Sequence, residues 1–313
     1  MKSFQVIRTH LSPYQSQDFS LREQKIVEKY HHIYRKIDQP LERDVILITN
    51  THTKLSTLPK TLIEKTKLII HPNSGYENFE ESKSLVSTIP LVIGHEVRAQ
   101  GVTEYIMHVL KHAIGQLSFH DSWSPTRVWS RRLISDLRVL ILGYGHVGMR
   151  LEKILESYGA KVFVFDPYKR KVNEPPFEEI DVLVSTMSSN EANSKFINSD
   201  YLQKFRNDLI VINPSRGSVV HESDLKSFMR KNSSARAYLD VFEDEPFSTS
   251  DWENYPNIYK TSHIAGVDQF LDQRILHFVD KTLSDFTFLN EQDFLKKYQD
   301  ELFQNKLYQG RLI

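Results

Sequence analysis

At 313 residues, with 40 Lys and Arg balanced by 40 Asp and Glu and a pI near 7.3, the chain has room for two ordinary domains and carries no broad field to draw in nucleic acid or an acidic membrane. The absence of cysteine excludes disulfides, thiolate nucleophiles and thiolate metal sites. No apolar run approaches the roughly 18 residues of a membrane span, and the opening MKSFQVIRTHLSPYQ is too short in apolar residues for a signal peptide, so a cytoplasmic location is expected.

In chain order, the first 40 residues mix polar and aromatic positions without a clean period. Short β-branched runs then recur: DVILIT (44–49), KLIIH (67–71), PLVIG (90–94), RVLIL (138–142), KVFVF (161–165), DVLVS (181–185) and LIVIN (209–213). Runs apolar on both faces suit central strands of a parallel sheet covered by helices, so the fold class is α/β. Between the third and fourth runs, GVTEYIMHVLKHAIG reads as a connecting helix, with a domain boundary near residue 95. His108 and His112 stand i, i+4 on that helix, as zinc ligands can, but HVLKH lacks the glutamate of HExxH and no third ligand is evident. Packing or exposure is the expectation for both. Trp123, Trp129 and Trp252 are expected to fill cores or interfaces.

The stretch VLILGYGHVGMRLEKIL (139–155) runs a strand into a glycine cluster and then into a helical pattern. Gly143, Gly145 and Gly148 form GxGxxG in the context that gives the pattern meaning. The first glycine permits a tight turn, the second lets a pyrophosphate approach the main chain, and the third lets helix and strand pack closely. Amides at the helix start, around His146 and Val147, face the phosphates, where the helix dipole favours negative charge. The next strand ends at Asp166, close to the ~20-residue spacing of the acid that accepts the adenosine ribose diol. That carboxylate repels a 2′-phosphate and favours NAD over NADP, although Lys169, Arg170 and Lys171 follow it and soften the preference.

Three later motifs place chemistry after strand ends. LIVINPSRGSVVHESDL (209–225) carries Arg216 before a helix opening in HESDL, AYLDVFEDEP (237–246) carries Asp240 and Glu245, and IYKTSHIAG (258–266) carries His263. In an open α/β sheet, ligands bind beyond the carboxyl ends of the strands, so these side chains can face one crevice.

With these motifs in order, and with HPNSGYENF (71–79) and GVTEYIMHVL (101–110) upstream, the sequence resembles the D-isomer-specific 2-hydroxyacid dehydrogenases over about residues 44–288. The resemblance implies a Rossmann-type dinucleotide-binding domain, residues 96–288 with the connecting helices, inserted into a smaller flavodoxin-like substrate domain formed by residues 1–95 plus 289–313. It also implies NAD as cofactor, a small 2-keto or D-2-hydroxy acid as substrate, and a homodimer. Asp240 is then expected near the nicotinamide carboxamide, and main-chain amides around Ser74 and Gly75 complete the substrate carboxylate site.

The reaction independently asks for the same residue types. Hydride delivered to a keto carbon requires a proton at the oxygen, and His263 is the natural donor, or the base in the oxidative direction. Glu245 beside the ring stabilises its charged form and fixes which nitrogen holds a proton. Arg216 supplies the planar fork that pairs with the substrate carboxylate and polarises the carbonyl. Formate-oxidising members carry glutamine at the Glu245 position, so the glutamate argues against that branch. Departures from the family pattern are Ser262 where proline usually precedes the histidine, His221 in place of a common aspartate, and STMSSN (185–190) without the familiar histidine and proline. The alternative reading is an NADH-binding sensor or corepressor-like scaffold with little turnover.

Overall fold

The computed structural model describes residues 2–115, 121–123, 125–126, 131–169, 175–308 and 311–312. Trp129, Arg170 and Lys171 lie outside the described residues. The chain divides into two compact units, residues 1–98 with 267–313, and residues 99–266.

The first unit is built on a five-stranded parallel sheet of β1 (Gln5–Arg8), β2 (Ile33–Arg35), β3 (Val45–Ile48), β4 (Thr66–His71) and β5 (Leu91–Ile93), in the order β2-β1-β3-β4-β5. This is the flavodoxin-like order, and the sheet is covered on both faces. One face packs Val6, Ile46, Ile48 and Ile70 against Val279, Leu283 and Phe294. The other packs Ile7, Leu47 and Ile69 against Leu62, Phe79 and Phe303. Such two-sided burial explains why β3 to β5 read as unbroken apolar runs.

The second unit holds a six-stranded parallel sheet of β6 (Arg138–Leu142), β7 (Lys161–Phe165), β8 (Val182–Ser185), β9 (Ile210–Asn213), β10 (Arg236–Leu239) and β11 (Ile258–Lys260), in the order β11-β10-β9-β8-β6-β7. From β6 the chain goes outward to β7 and returns to β8 on the other side of β6. The strand order therefore reverses between β6 and β8, and a Rossmann-type fold opens its ligand crevice at such a switch point. Helix His95–Ile114 covers one face through Ile106, Leu110 and Ala113, and helix Glu222–Lys231 covers the other through Leu225 and Met229.

The sequence-based domain limits differ from the observed division at the second crossing. Helix Leu271–Phe288, expected with the nucleotide-binding part, belongs to the first unit, so the return point is 266/267 rather than 288/289. Its buried side is the cause: Leu271, Ile275 and Leu276 cluster with Phe19 and Val97, and Val279 and Leu283 join the core on the first sheet.

Trp252 is buried in the second unit, whereas Trp123 is 85% exposed and fills no core of this chain. On the connecting helix the two imidazoles have protein partners: His108 Nδ1 lies 2.8 Å from the Glu104 carbonyl and His112 Nδ1 lies 3.1 Å from the Tyr238 hydroxyl. Among the described residues, no helix is long and apolar enough to cross a membrane.

Candidate active site

The glycine loop follows directly from β6, whose residues from Val139 to Leu142 are fully buried. The three glycines meet three different demands. Gly143 turns the chain with φ +94°, a left-handed conformation that side chains resist, and donates its amide to the Phe165 carbonyl at 2.9 Å. Gly145 precedes helix His146–Ser157, and a Cβ added there meets no atom within 4 Å. Gly148 lies so close to the loop that a Cβ would fall 2.3 Å from the Gly143 carbonyl oxygen. Backbone conformation thus accounts for the first glycine and packing for the last, while the middle one is bare toward open space, the condition for a phosphate to reach the backbone. His146 and Val147 open the helix there, both half-buried, and Val147 packs against the core.

Asp166 does more than its sequence position suggests. Its Oδ2 accepts the Tyr144 amide at 2.7 Å, and its Oδ1 accepts the amides of Tyr168 and Lys169 at 2.9 and 3.0 Å. The carboxylate therefore braces the glycine loop from the neighbouring strand end. Lone-pair capacity remains on Oδ2 for a ribose hydroxyl.

Arg216 follows β9, held by its neighbours. Asn213, fully buried, donates its side-chain amide to the Arg216 carbonyl at 2.9 Å, and its Oδ1 accepts from the Ser215 amide and hydroxyl at 3.2 and 2.8 Å. Ser185 donates to Ser215 at 2.8 Å, and Ser189 and Ser218 lie 2.9 Å apart, so the STMSSN loop is joined to the Arg216 segment. At Gly217 a Cβ would sit 1.8 Å from the Phe242 carbonyl oxygen, so the chain beyond Arg216 lies flush against the segment that leads to Glu245.

Glu245 and His263 meet: Nδ1 of the ring lies 2.8 Å from Oε2, while Oε1 accepts the Phe242 amide at 3.1 Å. A carboxylate only accepts, so Nδ1 carries the proton and Nε2 is the nitrogen presented outward. Both side chains are accessible, 57% for the imidazole and 38% for the carboxylate, so a ligand can reach them within this unit. His263 has φ +54°, a conformation uncommon outside glycine and one in which histidine is among the better-tolerated residues. Asp240, fully buried at the end of β10, holds that turn: its carbonyl accepts the His263 amide at 2.8 Å, and its carboxylate accepts the Ile264 and Ala265 amides, both at 2.8 Å.

These three side chains follow the carboxyl ends of adjacent strands β9, β10 and β11, on the same sheet as the glycine loop. The family model described as "D-isomer specific 2-hydroxyacid dehydrogenase, NAD binding domain" matches residues 106–265, half of the chain and nearly all of the second unit. The chain belongs to this family.

Similar members include the 2-ketogluconate reductase of Gluconobacter oxydans (strain 621H), 29% identical over 51% of this chain and 57% of that one. The erythronate-4-phosphate dehydrogenase of Blochmanniella floridana is 28% identical over 74% of this chain and 62% of that one. The chain thus spans less than two thirds of either relative. Among solved structures, the D-lactate dehydrogenase from Aquifex aeolicus complexed with NAD and lactic acid superposes with a TM-score of 0.69 at 18% identity, covering 96% of this chain and 99% of that one. At that identity the likeness is one of fold.

In the first unit, Ser74 and Gly75 follow β4. A residue that sequence reasoning passed over governs them. His71, fully buried, has Nε2 2.7 Å from the Gly75 carbonyl and Nδ1 2.9 Å from the Thr49 hydroxyl. The carbonyl only accepts, so Nε2 is protonated and Nδ1 accepts from Thr49, a neutral tautomer that pins the Gly75 peptide. Burial pushes the His71 imidazole down to about 4.

The sign of the linkage is fixed by that direction. Above pH ~6.5 both folded and unfolded states hold a neutral ring. As pH falls toward 4 the unfolded chain takes up a proton that the folded one refuses, and stability drops by up to about 3 kcal/mol. Urea midpoints at pH 7 and pH 4.5 should therefore fall further for the wild type than for His71→Asn, and equal falls would remove His71 as the cause.

Proposed function

We propose that the chain is an NAD-dependent oxidoreductase that transfers a hydride between NAD(H) and a small 2-keto or D-2-hydroxy acid. One observation carries the reading: a histidine in left-handed conformation, hydrogen-bonded through Nδ1 to a glutamate, on the sheet whose first strand ends in an open glycine loop. Gly143, Gly145, His146, Val147 and Gly148 would hold the pyrophosphate, and Asp166 the adenosine ribose. NADH, when bound, supplies the hydride for the keto carbon.

The protein's own groups supply the rest. Arg216 pairs with the substrate carboxylate through its planar fork and draws electron density from the adjacent carbonyl. Protonated His263 donates from Nε2 to the carbonyl oxygen as it becomes a hydroxyl, and takes that proton back in the reverse direction. Glu245 keeps the ring oriented and offsets the charge it carries before transfer. Asp240 is assigned to the nicotinamide side of the site, and the amides around Ser74 and Gly75 to substrate binding. The reading extends to a cytoplasmic homodimer, closed two-fold pairs being the commonest assemblies.

The test is NADH oxidation against glyoxylate, pyruvate, hydroxypyruvate and bulkier 2-keto acids, repeated with NADPH. Turnover with at least one acid, faster with NADH, is the expected result. Tight NADH binding without turnover on any acid would replace the dehydrogenase with an NADH-responsive sensor or scaffold.

A further inference from the structure

The turn that carries His263 reads Thr261-Ser262-His263-Ile264-Ala265 and contains neither proline nor glycine. Histidine tolerates φ +54° better than most side chains but still at a cost, so hydrogen bonds must hold the conformation. They converge on Asp240. Besides the amides of Ile264 and Ala265, its carboxylate accepts the Thr261 hydroxyl at 2.6 Å. With its hydrogen committed there, the Thr261 oxygen accepts from the Tyr105 hydroxyl, 2.7 Å away. The order of donation is therefore Tyr105 to Thr261 to Asp240.

Tyr105 stands on helix His95–Ile114, next to the fully buried Ile106, so the far end of the relay is fixed to a packed helix. Desolvation pushes the Tyr105 phenol up, which keeps it a donor throughout the neutral range. On the other side of Tyr105 and Thr261 opens a cavity of about 270 Å³, also lined by Tyr238, Tyr259 and Lys260. In Thr261→Val the Tyr105 hydroxyl can turn there to water, while the buried Asp240 Oδ1 loses one donor and keeps the Ile264 amide.

We propose that Thr261, with Tyr105 behind it, is a positioning residue for His263: the relay orients the Asp240 carboxylate so that it holds the turn in the conformation that pairs the imidazole with Glu245. The proposal rests on the dehydrogenase reading only for its kinetic arm. Thr261→Val keeps shape and removes the hydroxyl, Thr261→Ser keeps the hydroxyl, and Tyr105→Phe cuts the outer link alone.

For each variant, kcat, the substrate KM, the NADH dissociation constant and the His263 ring resonances by NMR would be measured. Thr261→Val should lower kcat about ten- to a hundredfold and shift or broaden the His263 signals, with any loss of NADH affinity smaller than the loss of kcat because the glycine loop is untouched. Thr261→Ser should restore both readouts. Tyr105→Phe should show a smaller loss, absorbed in the double variant with Thr261→Val because both cut one path. Wild-type kcat together with unaltered His263 signals in Thr261→Val would overturn the proposal, as would a Thr261→Ser loss equal to that of valine. A wild type inactive on every keto acid would sink the dehydrogenase reading, while the resonances would still decide whether the relay holds the turn.

Discussion

His263→Ala should lower kcat for keto-acid reduction by roughly a hundred- to ten-thousand-fold, the usual cost of removing a general acid, while NADH binds as before. The expectation follows from the separation of tasks within the second unit. The glycine loop follows β6 and is braced by Asp166, whereas His263 follows β11 and is held by Asp240 and Glu245. Deleting the imidazole removes the proposed proton donor and touches no part of the glycine loop. Glu245→Gln should fall between alanine and wild type, because the amide oxygen can still accept from Nδ1 while the negative charge is lost. Steady-state kinetics and NADH fluorescence titration on the two variants check both statements. A His263→Ala enzyme at the wild-type rate would remove the proposed donor.

Much of this site was legible because its residues sit at the ends of strands that announce themselves. RVLIL, DVLVS and LIVIN are buried on both faces, KVFVF forms the part-buried edge strand beside them, and the four became β6 to β9 almost residue for residue. The glycine loop, Arg216, Glu245 and His263 then follow by position. The first 43 residues were illegible for a physical reason: β1 and β2 are four and three residues long, and β1 includes Gln5 and Arg8, whose side chains are buried by long-range partners. Gln5 bonds to Pro40 and Arg43, and Arg8 pairs with Glu23, contacts that no local period can reveal. Helix Leu271–Phe288 shows an amphipathic face but no sign of which sheet that face will cover, hence the displaced boundary.

The supporting roles were hidden for another reason. Asp240 and Asp166 were chosen from motifs as ligand-facing acids, yet both spend hydrogen-bonding capacity on backbone amides of neighbouring turns. A motif records that an acid is present and leaves open how many of its lone pairs the protein itself occupies. His71 gave no signal at all, because a histidine closing an apolar strand looks alike whether its ring is idle or pins a loop carbonyl.

Gly145→Val and Gly148→Val should separate ligand contact from packing within a single loop. At Gly145 the backbone is extended, φ −80° and ψ −163°, which any residue adopts, and a Cβ meets nothing within 4 Å. Valine there should leave the melting temperature almost unmoved. It should cut NADH affinity about ten- to a hundredfold, corresponding to the ~1–3 kcal/mol of overpacking once phosphates occupy that space. At Gly148 the clash is with the protein itself, since the Gly143 carbonyl oxygen lies 2.3 Å from the added Cβ and belongs to backbone that cannot swing aside. Valine there should lower the melting temperature by several degrees, at ~2–4 °C per kcal/mol for a unit of this size, and impair NADH binding as the loop and helix part. Thermal melts paired with NADH titrations decide the matter. A Gly145→Val protein that melts early, or that binds NADH normally, would mean that the open space beside this glycine is not where the phosphates lie.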